Sequence, residues 1–296
     1  MSKNEIILTK ELLELLEKRY KSGEIDEGSY NELKERYEKR LEKALKDPSS
    51  IIDIKVSGSQ ILTDKDLSIA GSSKISGGKI LRDIRISGSG KIDGDIECNS
   101  IKCAGAIKAS GNITAHGFVK CSGSFKAEGF LHSDKGAKFS GSAKIGGNVL
   151  LSGQLIGAGS ILVEDNVQAD EGVQLSGSIE VQGNILSKKD ITLSGKAEIF
   201  GNIVGENVYI KGRRGIMEIR LFKRRELSTI EGTIFAKKTV EIEDTYVNKD
   251  VKAATVKLGP NTTVEGIVYY VYDLLLTDDV KLENEPVQIS IEELKL

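Results

Sequence analysis

His116 and Asp134 are 18 residues apart, Cys103 and Cys121 are 18 residues apart, and Lys108, Lys126 and Lys144 keep the same interval. Three kinds of chemistry thus recur at one spacing. A histidine beside an aspartate is the raw material of a general base. Two stacked thiols could form a redox clip or contribute to a metal site. A column of ammonium groups could hold an anionic surface.

Each pattern has a plainer reading. No nucleophile or second carboxylate joins His116 and Asp134 in the sequence pattern, so a solvated surface pair outweighs catalysis, and His132 has no better company. Cys98, Cys103 and Cys121 fall in positions that are otherwise apolar, which favours reduced core thiols over a clip or a metal. The stretch "SGSGKIDG" is rich in glycine but continues a corner pattern rather than forming a phosphate loop. The expectation is no enzyme, no cofactor and no metal.

The cationic pattern is longer. Lys74, Lys91, Lys108, Lys126 and Lys144 share one outward position, and Arg85, Lys102, Lys120 and Lys138 share a second. From the next repeat the first position turns to Leu162, Glu180 and Glu198. A solvated face that blocks aggregation is the plain reading. The functional readings are binding to an anionic surface, or pairing of the basic half with the acidic half of an antiparallel neighbour.

Such spacing demands elements that return the chain to one place. Corner glycines recur at Gly71, Gly88, Gly105, Gly123, Gly141, Gly159, Gly177, Gly195 and Gly212, at intervals of 17 or 18, with serine or alanine before all but Gly212. A second glycine follows six residues later in nearly every unit. Between glycines the apolar residues alternate, as in Ile179, Val181, Ile185, Ile191 and Leu193. Three short strands and three corners per repeat predict an all-β, parallel β-helix with triangular coils of ~18 residues. Asn112, Asn148, Asn166, Asn184 and Asn202 share one corner and are expected to stack amide on amide. Dividing residues 52–285 by the repeat gives about thirteen coils. An irregular, basic and apolar insertion occupies 213–228.

Residues 1–46 have a different texture, rich in Leu, Glu, Lys and Arg. Leu12, Leu13, Leu16 and Tyr20 recur at helical spacing, and Gly23 fits a helix end. Asp26 fits the cap of a second helix, whose apolar stripe runs through Tyr30, Leu33, Tyr37 and Leu41 as a candidate oligomerisation face. A linker covers 47–51 and a tail covers 286–296.

Composition narrows the classes. Glycine supplies 32 of 296 residues while proline supplies 3, which suits ordered corners better than disorder. Formal charge of −2 gives no reason to expect nucleic acid. The first residues carry charges throughout and do not read as a signal peptide, and "IVYYVYDLLL" is too short to span a membrane. Three cysteines without paired spacing fit a reducing compartment. A cytoplasmic protein, peripheral at a membrane if associated at all, is expected.

The phrases "GSIEVQGNI", "AEIFGNIV", "IEGTIFAKKTVEI" and "LGPNTTVEGIVYY" resemble the bactofilins, the polymer-forming cytoskeletal proteins. That resemblance covers residues ~52–285 and implies a right-handed parallel β-helix and nucleotide-independent self-assembly through terminal coils. Separately, Arg19, Tyr20, Gly23, Glu24, Ile25, Tyr30 and Leu33 resemble the short helical module called SHOCT, which implies oligomerisation or docking. The left-handed hexapeptide acyltransferase β-helix is the rival fold. It is disfavoured by the Gly-rich phrasing and by the lack of a cleft histidine.

The ends of a β-helix are edges that invite pairing. Tyr269, Tyr270, Tyr272, Leu274 and Leu276 form the candidate polymer contact, unless the tail folds over them. The expected function is a self-assembling scaffold, partnered by itself and by membrane-surface or other scaffold clients. The alternative is a non-polymerising binding module that uses the Lys/Arg positions.

Overall fold

The computed structural model describes residues 3–23, 25–46, 56–62, 66–212 and 227–294. Its main body is a parallel β-solenoid of about 12 turns, preceded by two short helices. The turn beginning at Gly177 shows the logic. Ile179 and Val181 face inward on one side, Ile185 on the next, and Ile191 and Leu193 on the third, all of them buried. Ser178 and Gln182, which flank the Ile179–Val181 pair, are exposed. Each turn lies in parallel register on the next, with Val173 opposite Ile191, Gly177 opposite Gly195 and Val181 opposite Ile199. Like side chains therefore stack along the axis, and no turn could bury its inner face alone.

The corner requires glycine at Gly177, where φ is 109°. A Cβ there would lie 2.1 Å from the carbonyl oxygen of Gly159 on the preceding turn. Strand strain and backbone approach thus select the same residue. The interior is mostly Ile, Val, Leu and Ala. Its largest side chains, Phe125 and Phe139, pack with ring centroids 4.8 Å apart.

The turn count is lower than the division predicts because the pairing advances by a single turn over the 31 residues from Glu198 to Thr229. Thr229 pairs directly with Glu198, and Ile230 with Ile199, so pairing resumes where it stopped. The insertion's charged and apolar residues at 213–226 lie outside the described residues.

The two ends differ. At the start, β1 (Val56–Leu62) pairs antiparallel with the chain that follows it, Val56 against Ile75 and Leu62 against Leu67. A parallel coil was expected here. With so few residues between Leu62 and Leu67, the chain can close a hairpin but cannot complete a crossover turn. At the other end, the strand Val268–Leu276 lies on Val251–Leu258. The tail then continues the winding: Lys281 and Leu282 pair with Thr263 and Val264, and Val287 and Gln288 with Tyr269 and Tyr270.

The helices α1 (Lys3–Lys21) and α2 (Glu27–Lys46) form a hairpin. Gly23 takes φ 75° at the end of α1. Asp26 caps α2, its carboxylate accepting from the Ser29 N–H at 2.9 Å and from the Ser29 hydroxyl at 2.7 Å. Those bonds hold the Asp26 carboxyl below its ordinary range. Tyr20 stacks on Tyr30 at 4.2 Å, and Leu16 is buried between the helices. Tyr30, Leu33 and Tyr37 are half-buried, and the Leu41 side chain lies outside the described residues.

Candidate functional site

The solenoid brings His116 and Asp134 together as their spacing suggests, with Nδ1 3.0 Å from the carboxylate. A second carboxylate does join them: Glu97 lies 2.9 Å from His116 Nε2. His132 also has company, its Nε2 standing 2.9 Å from the other oxygen of Asp134. Lys79 bridges to Glu97 and completes a chain of charges over successive turns. The reason is diagonal reach. Turns about 4.8 Å apart let a long side chain meet its neighbour's flanking position as well as its own column.

The electrostatics follow from those contacts. Glu97, and after it Asp134, favour the imidazolium and raise the His116 pKa above its ordinary value. Asp134 is held below the usual carboxylate range by His116 and His132, and Glu97 by Lys79 and His116. The imidazole is pinned on both nitrogens by carboxylates, and no nucleophile stands in the hydrogen-bond network given above. Its chemistry is that of a charged clasp across turns. Among the described residues no group of three or more His, Cys, Asp or Glu is arranged to hold a metal ion.

Cys98, Cys103 and Cys121 are buried free thiols. Cys103 and Cys121 are opposite each other on neighbouring strands. Their sulfurs hydrogen-bond, and with the Gly105 N–H donating at 3.3 Å the Cys103 thiol is drawn down to about 7. The same bond, with burial, pushes Cys121 up. Burial alone is the largest cause holding Cys98 up at about 12.

The lysine positions stack as the repeat predicts, Lys91 on Lys108 and Lys108 on Lys126. They are not a bare cationic array. Lys74 and Lys91 grip opposite oxygens of Asp93 at 2.8 and 3.0 Å. Lys108 and Lys126 share Glu128 at 3.8 and 3.5 Å, and Lys144 meets Glu164 at 2.5 Å. In the second column Arg85 bonds Asp66 at 2.8 Å, and Lys102 bonds Asp83 at 3.2 Å. Lys120 lies 5.0 Å over the Phe118 ring, and Lys138 is exposed. The acidic counter-column, two positions along the strand, went unread in the sequence.

The end of the solenoid separates the five residues of the candidate contact. Tyr269 and Tyr270 are covered by Val287 and Gln288. Ile289 N–H donates to the Tyr270 carbonyl at 2.8 Å, and the Gln288 side chain donates to the Val271 carbonyl at 3.0 Å. Beyond that point the strand has no neighbour on its outer side among the described residues. Leu274 and Leu276 sit on Val256 and Leu258, both buried core positions. Yet Leu276 is 46% exposed, and Tyr272 and Leu275 reach 64% and 55%. The tail therefore closes two sides of the last triangle and leaves the third open.

Hollows are small. One of about 110 Å³ is lined by Glu198, Ile199, Phe200, Thr229 and Glu231, and one of about 200 Å³ by Glu14, Glu17, Lys18 and Lys21. Both are below the ~300 Å³ that begins to enclose a small-molecule ligand. Compared with known proteins, the chain matches no family model, no curated protein and no solved structure.

Proposed function

We propose that the chain is a non-enzymatic scaffold that assembles with copies of itself, end to end through its terminal turns, into filaments that need no nucleotide. The observation that carries this reading is the open side of the last turn. There the strand past Val271 offers unpaired backbone groups beside inward-facing leucines, the combination that recruits another strand. Completing the burial of half-buried Leu274 and of Leu276, 46% exposed, against another turn would contribute about 1 kcal/mol each, a fraction of the return for enclosing a fully exposed leucine. The corner phrases shared with the bactofilins support the same reading, and the SHOCT-like hairpin supports a further contact between copies.

Within this reading the protein is cytoplasmic and peripheral to any membrane it meets. No helix among the described residues is long and apolar enough to cross one. Electron microscopy of the purified chain without nucleotide tests the proposal. Filaments are expected in the wild type and discrete particles in Leu274→Arg, with circular dichroism unchanged. Discrete wild-type particles across salt and concentration overturn it in favour of a non-polymerising binding module.

A further inference from the structure

One flank of the solenoid changes sign along its axis. Lys91, Lys108, Lys126 and Lys144 follow one another on successive turns in strict register. Leu162 comes next, and Glu180 and Glu198 occupy the same position on the two turns after it. Farther on, Glu265 bonds the Tyr246 phenol, and with burial and the nearby charges of Glu265, Glu231 and Glu283 this pushes the phenol up to about 12. The asymmetry extends to the whole rod. Residues 66–158 hold 12 Lys and Arg against 7 Asp and Glu, whereas residues 159–296 hold 17 against 23.

We propose that this flank docks a second copy of the same chain, laid antiparallel, with a two-fold axis at Leu162. A rotation about that point reverses the order of turns. It sets Lys144 against Glu180 of the second copy one turn from the axis, and Lys126 against Glu198 two turns away. Each contact occurs twice, as a two-fold interface requires. Half-buried Leu162 supplies an apolar centre for the surrounding charges. From Lys74 to Tyr246 the flank spans nine steps, about 43 Å at the strand spacing.

The occupant is specified by the presence of both signs. An anionic membrane or nucleic acid would meet the lysines but be repelled by the glutamates beyond Leu162. A second copy in the reversed direction satisfies both halves. The bridges within one chain do not block it. Lys126 and Lys144, with side chains 39% and 44% exposed, keep solvated ammonium groups that can take a second carboxylate. This surface lies along the rod and is separate from the end contact, so either can fail without the other.

Sedimentation velocity on full-length Leu274→Arg protein, in which end-on assembly is blocked, reads the lateral contact. A dimer at ~50 mM salt that dissociates by ~500 mM is expected, because exposed charges are screened over that range. Glu180→Lys with Glu198→Lys should weaken it by at least roughly tenfold, and so should Lys126→Glu with Lys144→Glu. Mixing these two variants should restore a dimer of one of each. A cysteine in place of Leu162 should give an oxidised, covalent dimer, whereas one in place of the exposed Leu150, outside this column, should not. A monomer at low salt, or a dimer indifferent to both reversals, overturns the proposal.

Discussion

Asn166 and Asn184 sit on successive turns, and the Oδ1 of Asn166 accepts both the backbone N–H of Asn184 at 2.8 Å and its side-chain amide at 2.9 Å. The same oxygen-to-backbone link runs from Asn184 to Asn202 and from Asn202 to Thr233, crossing the insertion without a break. Replacing Asn166 with Ala orphans two donors on the next turn. A loss of about 1–3 kcal/mol in urea unfolding is expected, the cost of leaving partly buried donors unmet. A change within error would show that water replaces the amide freely.

His116 should titrate above its ordinary 6.5 in the folded protein. Its raised pKa means its contribution to stability is full below the unfolded value and is lost as pH rises through the folded one. Glu97 and Asp134 behave oppositely, contributing above their unfolded values and losing it as pH falls through their lowered ones. The clasp is thus intact between those limits. NMR of the His116 ring gives the value directly, and His116→Gln should remove the corresponding slope from Tm against pH. Titration at or below 6.5 would mean the carboxylates do not face the ring.

Gly177→Ala should unfold the middle of the rod. The new methyl would sit 2.1 Å from the Gly159 oxygen, with φ at 109°. Gly23→Ala is the contrast, since φ is 75° but nothing lies within 4 Å of the added atom. Thermal melts should separate them, with about 1 kcal/mol or slightly more lost at Gly23 and several-fold more at Gly177. Equal losses would put the cost in the dihedral alone.

Phe125→Ala should cost about 3–5 kcal/mol, as deletion of a buried ring does elsewhere. Its ring is buried against Phe139, in an interior otherwise filled by small aliphatics. Phe125→Leu should recover most of that loss in the same denaturation experiment, because it refills the space.

Periodicity made the architecture legible, because each of Gly105, Gly123 and Gly141 must meet its counterpart one turn away. Side-chain partners were less legible. Counting within one column pairs His116 with Asp134 but omits Glu97, which lies two positions across on an earlier turn. Asp93, Glu128 and Glu164 escaped the lysine reading for the same reason. The first rung of the amide stack is Asp95, whose carboxylate accepts the Asn112 N–H at 2.7 Å, so a motif sought by residue name missed its own beginning. The antiparallel β1 was hidden because "VSGSQIL" carries the same small-Gly phrase as a true corner. Only the short span between Leu62 and Leu67 betrays it.

The register that survives residues 213–227 has a consequence for size. Each turn adds a rise fixed by backbone hydrogen bonding, about 4.8 Å, whatever its outward residues are. The molecule is therefore a ruler graduated in units of one repeat, about 58 Å for its twelve turns. Duplicating or deleting an 18-residue unit would change its length by one graduation, while an extra loop at a corner would change nothing along the axis.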